Sequence, residues 1–160
     1  MFYSRFRPTS VTGSKNYDGK LENFVDNNKR TYSCLYNQGG WVSFYFSNKI
    51  LATHVEIISI GDQDGWNQNS PSFEIRVSNN SNEWESVLTS MSNVGLGGPD
   101  VSAILPIRVS APALYYQFNN KGGNICMAEI AFLSAAEPRT VCSMKKIKVL
   151  IMAITLVVKT

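Results

Sequence analysis

Along most of this chain apolar and polar residues alternate with a period of two, and the runs are short. Trp41-Val42-Ser43-Phe44-Tyr45-Phe46 is an aromatic and β-branched run bounded by Gly39-Gly40 and Ser47-Asn48, which is the composition of a strand. Residues 52–60 alternate, with Val55, Ile57 and Ser59 on one face and His54, Glu56 and Ile58 on the other. Phe73-Glu74-Ile75-Arg76-Val77 does the same, and a polar turn over residues 78–82 separates it from Trp84 and Val87. Residues 104–109, 114–118 and 125–133 complete the predicted strands. Residues 21–32 depart from this period: Leu21, Phe24 and Val25 stand at helical spacing, and Asp26-Asn27-Asn28 ends the run, so one short helical turn is predicted. The first 20 residues are rich in Ser, Thr, Gly and Asn, with Pro8 and Gly13 as breakers, and read as coil or an edge strand. Short strands at regular spacing with Gly, Asn, Ser and Pro clusters between them predict an all-β antiparallel sandwich or barrel. No long helical pattern alternates with the strands, which argues against an α/β fold.

Composition agrees with one folded domain. The chain has 160 residues, 44% of them apolar and 17% charged, so it is neither a disordered tail nor a coiled coil. Fifteen Lys and Arg against 12 Asp and Glu leave +3. With no basic stripe interleaved with aromatics, nucleic acid is not an expected partner. A single His, no nucleophile elbow and no catalytic metal spacing leave nothing to build an enzyme mechanism on. The single His54 reads as a sheet residue rather than a ligand. Cys34, Cys126 and Cys142 fit no zinc pattern. The N-terminus shows no apolar signal segment. Met144-Lys145-Lys146-Ile147-Lys148 leads into a mostly apolar run ending at Val158, too short to span a bilayer, which takes about 20 apolar residues. A tail strand, a membrane-associating segment or a gene-boundary artefact all fit it. The expected organisation is an N-terminal extension over residues 1–14, a folded domain over 15–136 and a tail over 137–160.

Four pieces, in order and at compatible distances, carry a family resemblance. They are Asp26-Asn27-Asn28-Lys29-Arg30-Thr31, the Trp41–Phe46 run, Ser78-Asn79-Asn80-Ser81-Asn82-Glu83-Trp84, and Ala128-Glu129-Ile130-Ala131-Phe132. From about residue 15 to 135 the chain resembles the discoidin, or coagulation factor 5/8 type C, domain, which is grouped with the galactose-binding-like jelly rolls and the family 32 carbohydrate-binding modules. The resemblance implies a jelly-roll sandwich, a non-catalytic ligand-binding role through the loops at one end of it, and an extracellular or cell-surface location. Glycan or glycoprotein partners and cell adhesion follow from it. The alternative within the family is a module that binds a protein or a phospholipid surface through Leu35, Tyr36, Trp66 and Leu96, with little basic charge to support membrane contact. Trp41 and Trp84 are expected to plug the core.

The resemblance also implies a structural calcium ion. Asp26 and Glu129 would supply carboxylates, Thr31 a hydroxyl, and Asn23, Asn28, Thr31 and Ala128 main-chain carbonyls, the hard oxygens that calcium takes. The competing reading is that Asp26 and Thr31 cap a turn while Glu129 pairs with Lys29 or Arg30. Cys34 and Cys126 flank these ligands, so a Cys34–Cys126 bridge is one possibility and three unpaired thiols the other. For the ligand surface, an aromatic platform with adjacent polar groups is the pattern sought. Trp66 with Asp64 and Asn67 has it, Tyr36 and Asn37 come second, and Asn120 and Lys121 would complete a rim. Cys34, and Asp62 or Gln63, stand where galactose-binding members often carry a His and an Arg, so galactose itself is not implied.

Overall fold

The computed structural model describes residues 2–15, 17–36, 39–60, 72–90 and 102–135. Eleven strands and one 3-10 turn follow in the order β1 (Tyr3–Arg5), β2 (Ser10–Gly13), β3 (Tyr17–Asp18), the turn (Leu21–Phe24), β4 (Ser33–Leu35), β5 (Trp41–Ile50), β6 (His54–Ser59), β7 (Phe73–Ser78), β8 (Glu85–Ser90), β9 (Ser102–Pro106), β10 (Ala113–Asn120) and β11 (Ile125–Ala135). They form two antiparallel sheets packed face to face. One runs β3-β4-β11-β6-β9 with β1 also on β11, and the other runs β2-β5-β10-β7-β8. This is the predicted all-β sandwich, with the predicted turn in place.

Alternation decides which residues meet between the sheets. On β5, Val42, Phe44 and Phe46 are buried while Trp41 and Tyr45 are only partly so. Phe44 meets Phe132 edge-on with ring centroids 5.3 Å apart, Tyr116 packs on Phe132 at 4.7 Å, and Phe73 stacks on Phe118 at 4.8 Å. Aromatic groups of this size dominate core energetics, and these pairs sit at favourable separations. Tyr116 buries its ring and satisfies its hydroxyl, which donates to the Ile50 carbonyl at 2.8 Å and accepts from the Ala52 N–H at 3.2 Å. His54 lies on β6, with Nδ1 2.9 Å from the Thr53 hydroxyl and its ring against Tyr3, a sheet residue as expected.

The described residues before the predicted domain start also enter the sheets: β1 pairs with the C-terminal half of β11, and β2 pairs with β5 from Ser10↔Tyr45 to Gly13↔Val42. Each contributes a strand to one sheet. The short β4, in a stretch for which no strand is predicted, is buried through Ser33, Cys34 and Leu35. Among the described residues no helix is long and apolar enough to cross a membrane. The predicted tail, Cys142 and Leu96 lie outside the described residues.

Candidate functional site

The loop after the 3-10 turn folds on its own side chains. Asp26 Oδ1 accepts from the Asn28 N–H at 2.8 Å, Oδ2 accepts from the Thr31 hydroxyl at 2.6 Å, and the Thr31 N–H donates to the Asn28 carbonyl at 3.1 Å. Short polar side chains commonly organise turns in this way. Asn27 takes a φ of 60°, which Asn tolerates better than most residues. Glu129 reaches the same loop from β11. Its neighbour Ala128 sits where the β11–β6 register shifts, between Met127 and Glu129, and such a bulge re-aims a side chain. Glu129 Oε1 accepts from the Asn28 N–H at 3.1 Å. Asp26 and Glu129 therefore come together as the resemblance implies.

Arg5 joins Glu129 from β1. Its guanidinium pairs with Glu129 Oε2 and donates to Asn27 Oδ1 at 2.9 Å. Glu129 is 1% exposed. Burial raises its carboxyl above the ordinary value, and Arg5 offsets part of that rise. Calcium needs six to eight oxygens. Here both oxygens of each carboxylate already accept hydrogen bonds, and the Asn28 carbonyl is engaged by Thr31. Asn23, whose main-chain carbonyl the resemblance would use, donates its side-chain amide to the Tyr32 carbonyl, 2.7 Å away. Ala128 is wholly buried in β11. As arranged, Glu129 takes its counter-charge from Arg5, and calcium at this loop stands as what the resemblance implies. The positive charge at Glu129 belongs to Arg5, not to Lys29 or Arg30. Among the described residues no group of three or more His, Cys, Asp or Glu is placed to hold a metal.

Beside this loop, Cys34 on β4 faces Cys126 on β11 across the ladder and the two form a disulfide. Of the predicted ligand residues, Asp64, Trp66, Asn67 and Asn37 lie outside the described residues. Tyr36 donates its hydroxyl to Asp18 Oδ2 at 3.1 Å. Leu35, named among the exposed spikes of the membrane alternative, is instead fully buried in the core, because its strand lies beside β11. Asn120 is also a correction. It is fully buried, and its amide nitrogen donates to the carbonyls of Leu35 at 3.3 Å and Gly123 at 2.7 Å. It builds the rim loop from within and offers no surface to a ligand. Lys121, next to it, does reach a surface cleft.

That cleft, of about 800 Å³, lies on the outer face of the β2-β5-β10-β7-β8 sheet. Strand register orders the residues of this face into three rows. Trp41, Asn119 and Glu74 stand in line across β5, β10 and β7. Thr12, Ser43, Gln117, Arg76 and Ser86 form the next row, across all five strands. Tyr45, Tyr115 and Ser78 form the third. Between β7 and β8 the register shifts at Ile75 and Arg76, a bend beside the cleft. Trp41 and Trp84 are corrections too. They are half-buried and line the cleft instead of plugging the core.

Trp84 is held by the turn before it. Ser78 Oγ accepts from the N–H groups of Asn80 and Ser81, Asn80 Oδ1 accepts from those of Asn82 and Glu83, and the indole N–H donates to the Ser81 carbonyl at 3.1 Å. Its ring meets Tyr115 edge-on at 6.5 Å, and Tyr115 leans on Tyr45 at 5.0 Å. Two cations line the cleft, Arg76 and Lys121, and both bind Glu74 Oε2, at 2.7 and 3.0 Å. Burial pushes the Glu74 carboxyl up, but hydrogen bonds from Arg76, Lys121 and Ser86 prevail and bring it down to about 2.

No family model and no curated protein sequence matches this chain. Solved structures do match, and they define the fold as that of the family 32 carbohydrate-binding modules, a galactose-binding-like β-sandwich. The isolated family 32 module of AlyQ, in complex with 4,5-unsaturated mannuronic acid, is 19% identical with a TM-score of 0.65, over 82% of this chain and 99% of that one. A truncated AlyQ carrying this module and an alginate lyase domain matches at 18% identity and TM-score 0.69, over 85% of this chain. The match spans about a third of that two-domain protein, 34%. Chitosan-binding module 1 of a chitosanase/glucanase from Paenibacillus sp. IK-5 is 16% identical with a TM-score of 0.59, over 79% and 94% of the two chains.

Proposed function

We propose that this protein is a non-catalytic carbohydrate-binding module, and that it holds a glycan or the glycan of a glycoprotein in the sheet-face cleft. One observation carries the reading: Trp41, Trp84 and Tyr115 stand half-buried around a floor of Ser43, Gln117 and Asn119. Sugars have apolar ring faces and polar edges, and sites that take them combine aromatic platforms with a few amide and hydroxyl groups. Gln117 and Asn119 are 7% and 8% exposed, so their amides are fixed in the sheet before a ligand arrives, which lowers the ordering cost of binding. The fold supports the same reading, since neighbours that share it are described as binding mannuronic acid and chitosan.

The rows also set the ligand's length. Trp41 and Tyr115 stand four residues apart in register, about 13 Å along the strands, more than one pyranose ring spans. An oligosaccharide is the fitting occupant. Screening an array of oligosaccharides tests the reading, with Trp84→Ala and Trp41→Ala as controls. Losing one stacking face at about 1.4 kcal/mol weakens binding about tenfold. Glycan binding untouched by both substitutions would remove the cleft from the account.

A further inference from the structure

We infer that the occupant of the cleft is an acidic glycan, one carrying sugar carboxylates, with a carboxylate seated at Arg76 and Lys121. This rests on the cleft being the glycan surface. The charged side chains that line it among the described residues are both cations. Their shared counter-ion, Glu74, is not part of the lining and stands on β7 two residues from Arg76. Held down to about 2 by those partners, Glu74 stays ionised at neutral pH, so the three side chains together carry one net positive charge.

Both cations keep donors in reserve. Arg76 spends Nε and Nη2 on Glu74 Oε2, and Lys121 spends one ammonium proton on the same oxygen. A guanidinium has five N–H donors and an ammonium three, so each can still donate to a second carboxylate. The clamp also fixes where they stand. Long cationic side chains lose rotamer freedom when they engage a ligand, and Glu74 has already restricted these two. Arginine with a carboxylate is the strong, directional form of such a contact.

Position completes the argument. Arg76 is in register with Gln117 and Ser43, and Glu74 with Asn119 and Trp41. A ring stacked on an aromatic face holds its exocyclic carboxylate at the ring's edge. Around this cleft the edge meets amides and then the two cations. A neutral sugar's hydroxyls can also accept from these cations, but only a carboxylate meets them with opposite charge, in the stronger charge-assisted contact.

The experiment uses the full chain and calorimetric titration. The probes are tetramers of mannuronate and of galacturonate, each as the acid and as its methyl ester, with neutral tetramers of mannose and galactose. The expected result is at least tenfold tighter binding of an acid than of its ester, weakening as sodium chloride rises, because the contact is charge-based and screened. Arg76→Gln should bring the acid-to-ester ratio close to one. Lys121→Gln repeats the test should the first variant fail to fold. Equal binding of acid and ester by the unsubstituted protein, or binding of the neutral tetramers as tight as the acids, would overturn the inference while leaving the glycan reading intact. No binding to any of these probes or to a wider neutral array would instead overturn the glycan reading itself.

Discussion

At the scale of single residues, Arg5 has the largest consequence. Residues at positions 26, 31 and 129 point toward a calcium loop, and those side chains do converge, yet the charge balancing Glu129 comes from a strand 124 residues away in sequence. Nothing near Arg5 in the sequence announces this, since only the pairing of β1 with β11 brings the two together. Removing one partner of a fully buried ion pair costs about 3–5 kcal/mol, because the other charge is left unpaired; with Arg5 itself 31% exposed, the cost here lies below that range. Arg5→Ala should therefore lower the melting temperature markedly, and Glu129→Gln added to it should recover part of the loss. Millimolar calcium or a chelator should leave the melting temperature of the unsubstituted protein where it is. A clear calcium-dependent rise by calorimetry would mean that an ion displaces Arg5 and that the observed pairing is not the working one. The tryptophans show a different kind of misreading. Trp41 shares a strand with Val42, Phe44 and Phe46, whose burial sends Trp41 to the opposite face by simple parity. That signal was in the sequence, and the expectation that tryptophans fill cores overrode it. Asn120 could not have been placed, because its buried role depends on carbonyls of Leu35 and Gly123 that no local pattern links to it.

Among the elements, the long alternating strands were legible, and the short ones were not. Residues 41–46, 73–77 and 125–133 carry clean alternation or a continuous apolar run and reappear as β5, β7 and β11. Strands β1, β3 and β4 span two or three residues each, too few for a period to register, and they exist because β11 and one another offer ladder partners. The Cys34–Cys126 disulfide ties one of these short strands to the central one. It closes a loop of 92 residues, for which the chain-entropy model gives about 4–5 kcal/mol of stabilisation. Thermal unfolding with and without a thiol reductant checks this, beside a Cys34→Ala/Cys126→Ala variant. Both should unfold at lower temperature, and the pair of results should agree. Cys34→Ala alone is expected to match the double variant and to leave a thiol at Cys126 that reacts only on unfolding, since that residue is 3% exposed.

For the molecule as a whole, the question is where the folded unit begins. Sequence reading sets the boundary at residue 15, because the family resemblance starts there, within a polar stretch broken by Pro8 and Gly13. The structure gives that stretch two tasks, one per sheet: β2 covers the edge of β5, and β1 covers the C-terminal half of β11 while delivering Arg5 to Glu129. Thr12 also lines the cleft. A chain trimmed to residues 15–136 would expose the edge of β5 with its alternating aromatics, and an uncovered edge of that kind is a template for intermolecular pairing. It would also leave Glu129 buried and unpaired. The expected outcome is that residues 1–136 express as a cooperative folded unit, whereas residues 15–136 unfold at much lower temperature or associate, as read by calorimetry and by light scattering after gel filtration. Neutralising the buried carboxylate alone cannot repair the trimmed chain if the edge strand matters, so Glu129→Gln in the 15–136 background should recover only part of the stability. Full recovery there would assign the whole effect to the buried carboxylate and leave β2 as a dispensable edge.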